Sequence, residues 1–337
     1  MTGLRYGRIL LLLALAALVL ASAAAGDVTI LSVANLTSMA VFAVEVGIIA
    51  FGQTLVICGG DGGIDLSVGA ISGLAEVIAG LLISHGCAWP LACLAGLGAG
   101  AAMGGINGFC VARLGIPAII VTLATMFGFS GLALVATGGV NIDLTQAPHD
   151  FLYLGQGSVA GAPFQLLCIY LPALALFAFL QHRTAFGRAL YLTGTNALAA
   201  RLAGIRVGRL RATTYVLAGL MAGLAGLVGA ARLGTATPTG TDQANLISIA
   251  IVVLGGASIF GGDGSVLGTA IASVVIAIAD YGLSYNNYNP ILQAGVMGLI
   301  LVSVVLAENL LYARLRAFMR RRHRGDAGSG SGSGSLG

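Results

Sequence analysis

From about residue 39 to residue 311 the chain offers one apolar segment after another, most of them close to 20 residues long. A helix of that length crosses the ~30 Å hydrocarbon core of a bilayer, where only helices and closed barrels satisfy their own backbone groups. Charge is too scarce for a water-facing surface: 8% of the 337 residues are charged, against about a quarter in a soluble domain. An ordinary soluble enzyme, a nucleic-acid binder and a disordered protein are thereby excluded. The 52 glycines fit the same reading, because small residues let membrane helices approach closely.

Hydropathy and breaker residues predict an all-α polytopic membrane protein of about ten transmembrane helices. The first, about Ile9–Ala25, follows Arg5 and Arg8 and ends in an Ala-rich run, a layout shared with a secretory signal. The next four are expected at Met39–Cys58, Asp65–Ser84, Ala88–Val111 and Pro117–Thr137. A polar stretch from Gly138 to Gly161 precedes a sixth span, Phe164–Leu180, and an Arg-rich loop occupies residues 183–211. Ala212–Ala231, Asn245–Phe260, Ser265–Gly282 and Ile291–Leu311 complete the set. Residues 1–311 are thus one transmembrane domain, 312–327 a basic tail, and 328–337 a flexible Gly/Ser linker outside the fold.

All 16 basic residues are Arg. Cytoplasmic loops carry the Lys/Arg excess, and ten alternating spans with N-in/C-in termini place every Arg inside except Arg232. The absence of Lys rules out a P-loop, whose Lys reaches the β/γ-phosphates. The five cysteines lie in or beside apolar stretches without a CxxC pair, and read as small buried apolar residues. No His/Cys/carboxylate group has metal spacing, and no hydrolase signature occurs.

Three features carry chemistry. Within the Arg-rich loop, Ala-rich residues Asn196–Leu202 predict a short helix, bracketed by Gly194 with Thr195 and by Gly204. Docking of a soluble partner and a solvated, lipid-facing basic loop both fit it. Two Gly-rich turns, around Asp65 and Asp263, adjoin predicted helix starts. There a carboxylate can cap orphan N–H groups, or the helix end can hold an anion. Finally, Glu45, Glu76 and Asn107 lie inside predicted spans, where a polar group is costly. The two glutamates can bind a polar substrate, pair with each other, carry protons or bond to a neighbouring helix; Asn107 can bridge helices.

These motifs resemble a known family. GQTLVICGGDGGIDLSVGA, Gly52–Ala70, is similar to the GGIDLSVG signature of monosaccharide ABC importer permeases, which include the ribose, xylose and arabinose permeases. Gly62, Gly63, Asp65, Ser67 and Gly69 belong to that signature; Gly261, Gly262 and Asp263 belong to the second turn, GGASIFGGDGSVLGT. GGINGFCVARLGIPAIIVTLATM, Gly104–Met126, and TAFGRALYLTGTNALAARLAGIRV, Thr184–Val207, resemble two further family segments.

The resemblance implies an ABC importer permease fold in the bacterial inner membrane. It also implies a dimer, docked by ATP-binding subunits inside and by a sugar-binding protein outside. Thr195, Asn196, Ala197, Leu198, Ala199, Ala200, Arg201, Leu202, Ala203 and Gly204 would form the coupling segment. ATP and Mg2+ would sit on the partner ATPase, with no cofactor in this chain and no catalytic residues. Asp27, Asp143, Asp150 and Asp242 would face the binding protein. Asp61 is an insertion relative to the family turn, and Glu45 and Glu76 depart from the family pattern. They leave one alternative, a proton-coupled secondary transporter using Glu45 or Glu76.

Overall fold

The computed structural model describes residues 32–239 and 243–285, together with Thr29 and isolated positions between 289 and 302. The expected first span, nearly all of the tenth, the basic tail, the Gly/Ser linker, Asp27 and Asp242 lie outside the described residues. The helices are α1 (Val33–Cys58), α2 (Val68–Ser84), α3 (Trp89–Ala112), α4 (Ala118–Thr137), α5 (His149–Gln156), α6 (Leu171–Arg183), α7 (Ala185–Thr195), α8 (Ala197–Leu202), α9 (Val207–Leu233), α10 (Ala244–Leu254) and α11 (Val266–Tyr285). A six-residue π-helix, Gln165–Tyr170, leads directly into α6. Pro172, near the start of α6, has no N–H to donate backwards, which favours an irregular ladder at that point.

Six helical units among the described residues are long and apolar enough to cross a membrane: α1, α3, α4, Gln165–Arg183, α9 and α11. Each predicted span from the second to the ninth has a helix, but two of these are short. α2 has 17 residues and α10 only 11, about 16 Å at 1.5 Å per residue, half a bilayer core. The eighth span, expected to reach Phe260, stops at Leu254 because Gly255 and Gly256 follow, the latter at φ +92°. The all-α expectation also needs amendment. Two minimal antiparallel ladders pair β1 (Ile142–Asp143) with β4 (Thr235–Ala236), and β2 (Ser158–Val159) with β3 (Ala162–Pro163). They satisfy backbone groups of inter-helix loops that no helix reaches.

α1 is the central helix, buried from Val44 nearly to its end, and α9, α10 and α11 pack around it. The closest helix pair is α3 with α9. Gly96, Gly100, Gly104 and Gly108 recur every four residues along one face of α3, and this row lies on Ala212, Tyr215, Gly219 and Gly223 of α9. An added Cβ on Gly108 would come within 2.8 Å of the Ala212 carbonyl oxygen. Such a row permits backbone contact that larger residues would forbid. Conversely, α3, α4 and α6 turn Leu94, Ile106, Phe109, Ile120, Phe127, Leu176 and Phe179 outward, as a lipid-facing surface requires. For the same reason the cysteines are not uniformly buried: Cys58 is, Cys87, Cys93 and Cys110 are partly exposed, and Cys168 is exposed.

Candidate functional site

The segments that carry the motifs gather at one end of the helix bundle. α7 starts at Thr184, whose hydroxyl accepts from the Gly187 N–H, and runs through Gly194 and Thr195. Contrary to the expectation from sequence, these two residues do not break the helix; the break falls at Asn196, which is extended (φ −157°, ψ 99°). The Asn196 side chain then caps α8 by accepting from the Ala199 N–H at 3.0 Å, a bond of the usual N-cap kind. Gly194 serves close approach instead. An added Cβ there would strike the Cys58 carbonyl and the backbone of Gly262.

Both Gly-rich turns meet at this point. The Gly262 N–H donates to the Cys58 carbonyl at 3.1 Å, tying the second turn to the end of α1. Gly60 and Gly261 both have positive φ, +73° and +86°, and an added Cβ on Gly261 would strike Gly60. On Gly262 it would lie 2.6 Å from the Thr195 hydroxyl. Glycine is required here twice over, by backbone conformation and by space. Two longer side chains lock the arrangement: the Tyr191 hydroxyl donates to the Gly264 carbonyl at 2.7 Å, and the Val266 N–H donates to Gln181 Oε1 at 2.8 Å. α8 is thus held against both turns through α7. Its Ala200 is buried, while Leu198 and Leu202 are 66% and 83% exposed.

The first turn is itself an ordered polar centre. Contrary to expectation, Asp65 does not cap the first turn of α2; Oδ1 accepts from the N–H and hydroxyl of Ser67, at 2.8 and 2.6 Å. The α2 amide of Gly69 donates instead to Asn245 Oδ1 on α10, at 2.6 Å. Asn107 on α3 donates to the Ser67 hydroxyl at 2.7 Å and accepts from Thr125 of α4 at 2.8 Å. Asn107 therefore bridges helices. Asp61 adopts φ +61° and pairs with Arg211 at 2.6 Å.

Glu45 and Glu76 lie toward the opposite end and do not bond to each other. Arg232 donates to Glu45 through Nε at 2.5 Å and through a terminal nitrogen at 3.1 Å, a forked geometry that Arg favours. Glu76 accepts from the N–H and hydroxyl of Thr237, at 3.0 and 3.1 Å. Both carboxylates are thus engaged in joining α1 and α2 to the end of α9 and the segment beyond it. Nearby, Asp143 Oδ1 accepts from the Thr145 N–H at 2.8 Å, which holds its carboxyl below the usual range. Asp280 is half-buried on α11 beside Arg232 and Tyr281.

Sequence reasoning missed Tyr191, Gln181, Asn245 and Arg211 as organisers of this region. Arg232 carried a usable signal, because it alone broke the charge rule. Among the described residues no cluster of His, Cys, Asp and Glu is arranged to hold a metal ion.

Comparison with known proteins adds the context. Residues 35–305 match the family described as branched-chain amino acid transport system / permease component. The ribose import permease protein RbsC of Bacillus subtilis is 40% identical over 262 residues, 78% of this chain and 80% of the relative. RbsC of Escherichia coli K12 is 36% identical over 264 residues, 78% and 81% of the two chains. The autoinducer 2 import system permease protein LsrC of E. coli is 35% identical over 294 residues, 87% and 84%. No solved structure matches. With its apolar spans and both Gly-rich turns inside the matched region, the chain belongs to this permease family, in the group of monosaccharide ABC importer permeases.

Proposed function

We propose that the chain is the membrane subunit of a binding-protein-dependent ABC importer for a monosaccharide or a related small, polar, sugar-like solute. It would act in the bacterial inner membrane, with N-in/C-in topology. The observation that carries this reading is the convergence of α8 and both Gly-rich turns on the junction of Gly194 and Thr195. α8 presents Leu198 and Leu202 outward, a surface suited to a soluble partner. It is coupled through α7 to the ends of α1 and α11. On this reading, ATP and Mg2+ bind partner ATPase subunits, whose closure moves α8. Rigid contact with both turns passes that movement to the central helices, and the path changes the side to which it opens. A second permease copy completes the membrane unit, and an extracytoplasmic sugar-binding protein delivers the solute. The relatives are import permeases and do not favour a proton-coupled carrier.

The test is solute uptake by proteoliposomes holding this chain, its ATPase and its binding protein. Uptake should require ATP and both partners. Uptake by this chain alone, driven by a proton gradient and lost in Glu45→Gln or Glu76→Gln, would overturn the proposal.

A further inference from the structure

A cavity of about 420 Å3 lies at the end of the bundle away from α8, a volume within the range of small-molecule sites. Thr37, Ser38 and Phe42, near the start of α1, line it together with Asp280 and Tyr281, near the end of α11, and Arg232 at the end of α9. Asp280 stands about 21 Å along α11 from Val266, at about 1.5 Å per residue, a depth inside the ~30 Å hydrocarbon core. Its carboxylate is half-buried and has no hydrogen-bond or ion-pair partner among the described residues. Glu45, Glu76 and Asp65 are all engaged by neighbouring groups. A carboxylate left alone in a membrane span is costly, and such residues face cavities and mark solute pathways.

The hydrogen-bonding inventory of the lining is one-sided. The Thr37 and Ser38 hydroxyls donate to the Val33 and Ala34 carbonyls, at 2.7 and 3.1 Å. The Tyr281 hydroxyl donates to Asn35 Oδ1 at 2.7 Å. With their protons spent, these three oxygens can only accept, as does an ionised Asp280. Arg232 gives Nε and one terminal nitrogen to Glu45, so few donors remain. An acceptor-rich cavity calls for a ligand that brings several donors of its own. Phe42 and Tyr281 add apolar ring surface. A solute with many hydroxyls and an apolar C–H face meets both demands, whereas an anion would be repelled by Asp280.

We infer that this cavity is a binding site for an uncharged, monosaccharide-sized polyol, whose hydroxyls donate to Asp280 and to the Thr37 and Ser38 oxygens. Glu45 holds Arg232 in place beside them and is a positioning residue. The inference rests on the importer reading for the class of solute and for the side, since N-in topology puts the cavity at the outer end, where solute enters. Binding here needs neither ATP nor a partner chain, so it is measured apart from uptake.

The test is saturation-transfer NMR on the full chain in phosphatidylcholine nanodiscs, with D-ribose, D-xylose and D-glucose as probes and L-leucine and choline as charged comparators. At least one sugar should give a saturable signal, and its affinity should fall about tenfold in Asp280→Asn, which turns a charge-assisted bond into a neutral one. Without sugar, Asp280→Asn should melt no lower than the parent chain, because the carboxylate gives up no bond. No saturable signal from any of the sugars, undiminished affinity in Asp280→Asn, a lower melting point of that variant without sugar, or saturable binding of choline in place of the sugars would overturn the inference. Uptake that proves independent of ATP would instead overturn the importer reading and leave a positive binding result standing.

Discussion

Gly104 and Gly105 are neighbours on α3 with opposite surroundings, and replacing each with Ala tests the packing account. At Gly104 an added Cβ meets the Tyr215 carbonyl and lies 3.1 Å from Gly219 Cα. Both are α9 backbone, which yields only if two helices move apart. Overpacking of that kind costs about 1–3 kcal/mol. At Gly105 the nearest atom is Val216 Cγ2 at 3.7 Å, an ordinary contact, and Ala gains up to about 1 kcal/mol in helix propensity. Gly104→Ala shares that propensity gain, so the two variants should differ by the overpacking cost, about 1–3 kcal/mol, with Gly104→Ala the less stable. Reversible unfolding in mixed micelles, followed by circular dichroism, measures the difference. Equal stabilities, or Gly105→Ala as the weaker variant, would refute the idea that the glycine row seats α3 directly on α9.

Other consequences follow from single groups. Asn107→Leu removes the bonds to Ser67 and Thr125 and should cost about 1–3 kcal/mol in the same unfolding assay. Gln53 is fully buried on α1 with neither amide atom partnered, so Gln53→Met should unfold no earlier than the parent chain and gain up to about 1–3 kcal/mol. Because the Thr145 N–H depresses the Asp143 pKa, that bond is fully formed above the ordinary aspartate pKa and is lost as pH falls through the lowered one. A carboxyl-carbon NMR titration should place the Asp143 midpoint below that of a free aspartate, and a midpoint at or above it would contradict the hydrogen bond.

Much of this was legible in the sequence where local breakers act. α4 runs from Ala118 to Thr137 almost as predicted, because Gly115 and Pro117 precede it and Gly138, at φ +64°, ends it. α1 starts six residues before the predicted Met39, because hydropathy ignores a helix start that Ser32 caps by accepting from the Asn35 N–H. Residues 183–211 read from their charge as a loop with one short helix, Asn196–Leu202; that helix is α8, but the segment also holds α7 and the start of α9. Arginine is a good helix former, and charge reports side of the membrane rather than backbone state.

At the candidate site, Asp65, Asn107 and the two turns could be singled out from residue type, but their partners could not. Gly69 bonds to Asn245 and Tyr191 to Gly264, across separations that no periodicity encodes. Glu45 and Arg232 are a further case. Each stood out as a misplaced charge, and only the fold joins them. The four-residue glycine spacing on α3 was visible in the sequence and marks a packing face.

The most direct measurement of coupling uses Ala200→Pro in the reconstituted importer, with ATP hydrolysis and solute uptake followed together. The Ala200 N–H donates to the Asn196 carbonyl at 3.0 Å, and proline removes that donor and disfavours the helix by about 3 kcal/mol. The variant should remain folded in the membrane while uptake falls to background and hydrolysis no longer responds to the binding protein. Unimpaired ATP-driven uptake in Ala200→Pro would contradict α8 as the element through which the ATPase moves the permease.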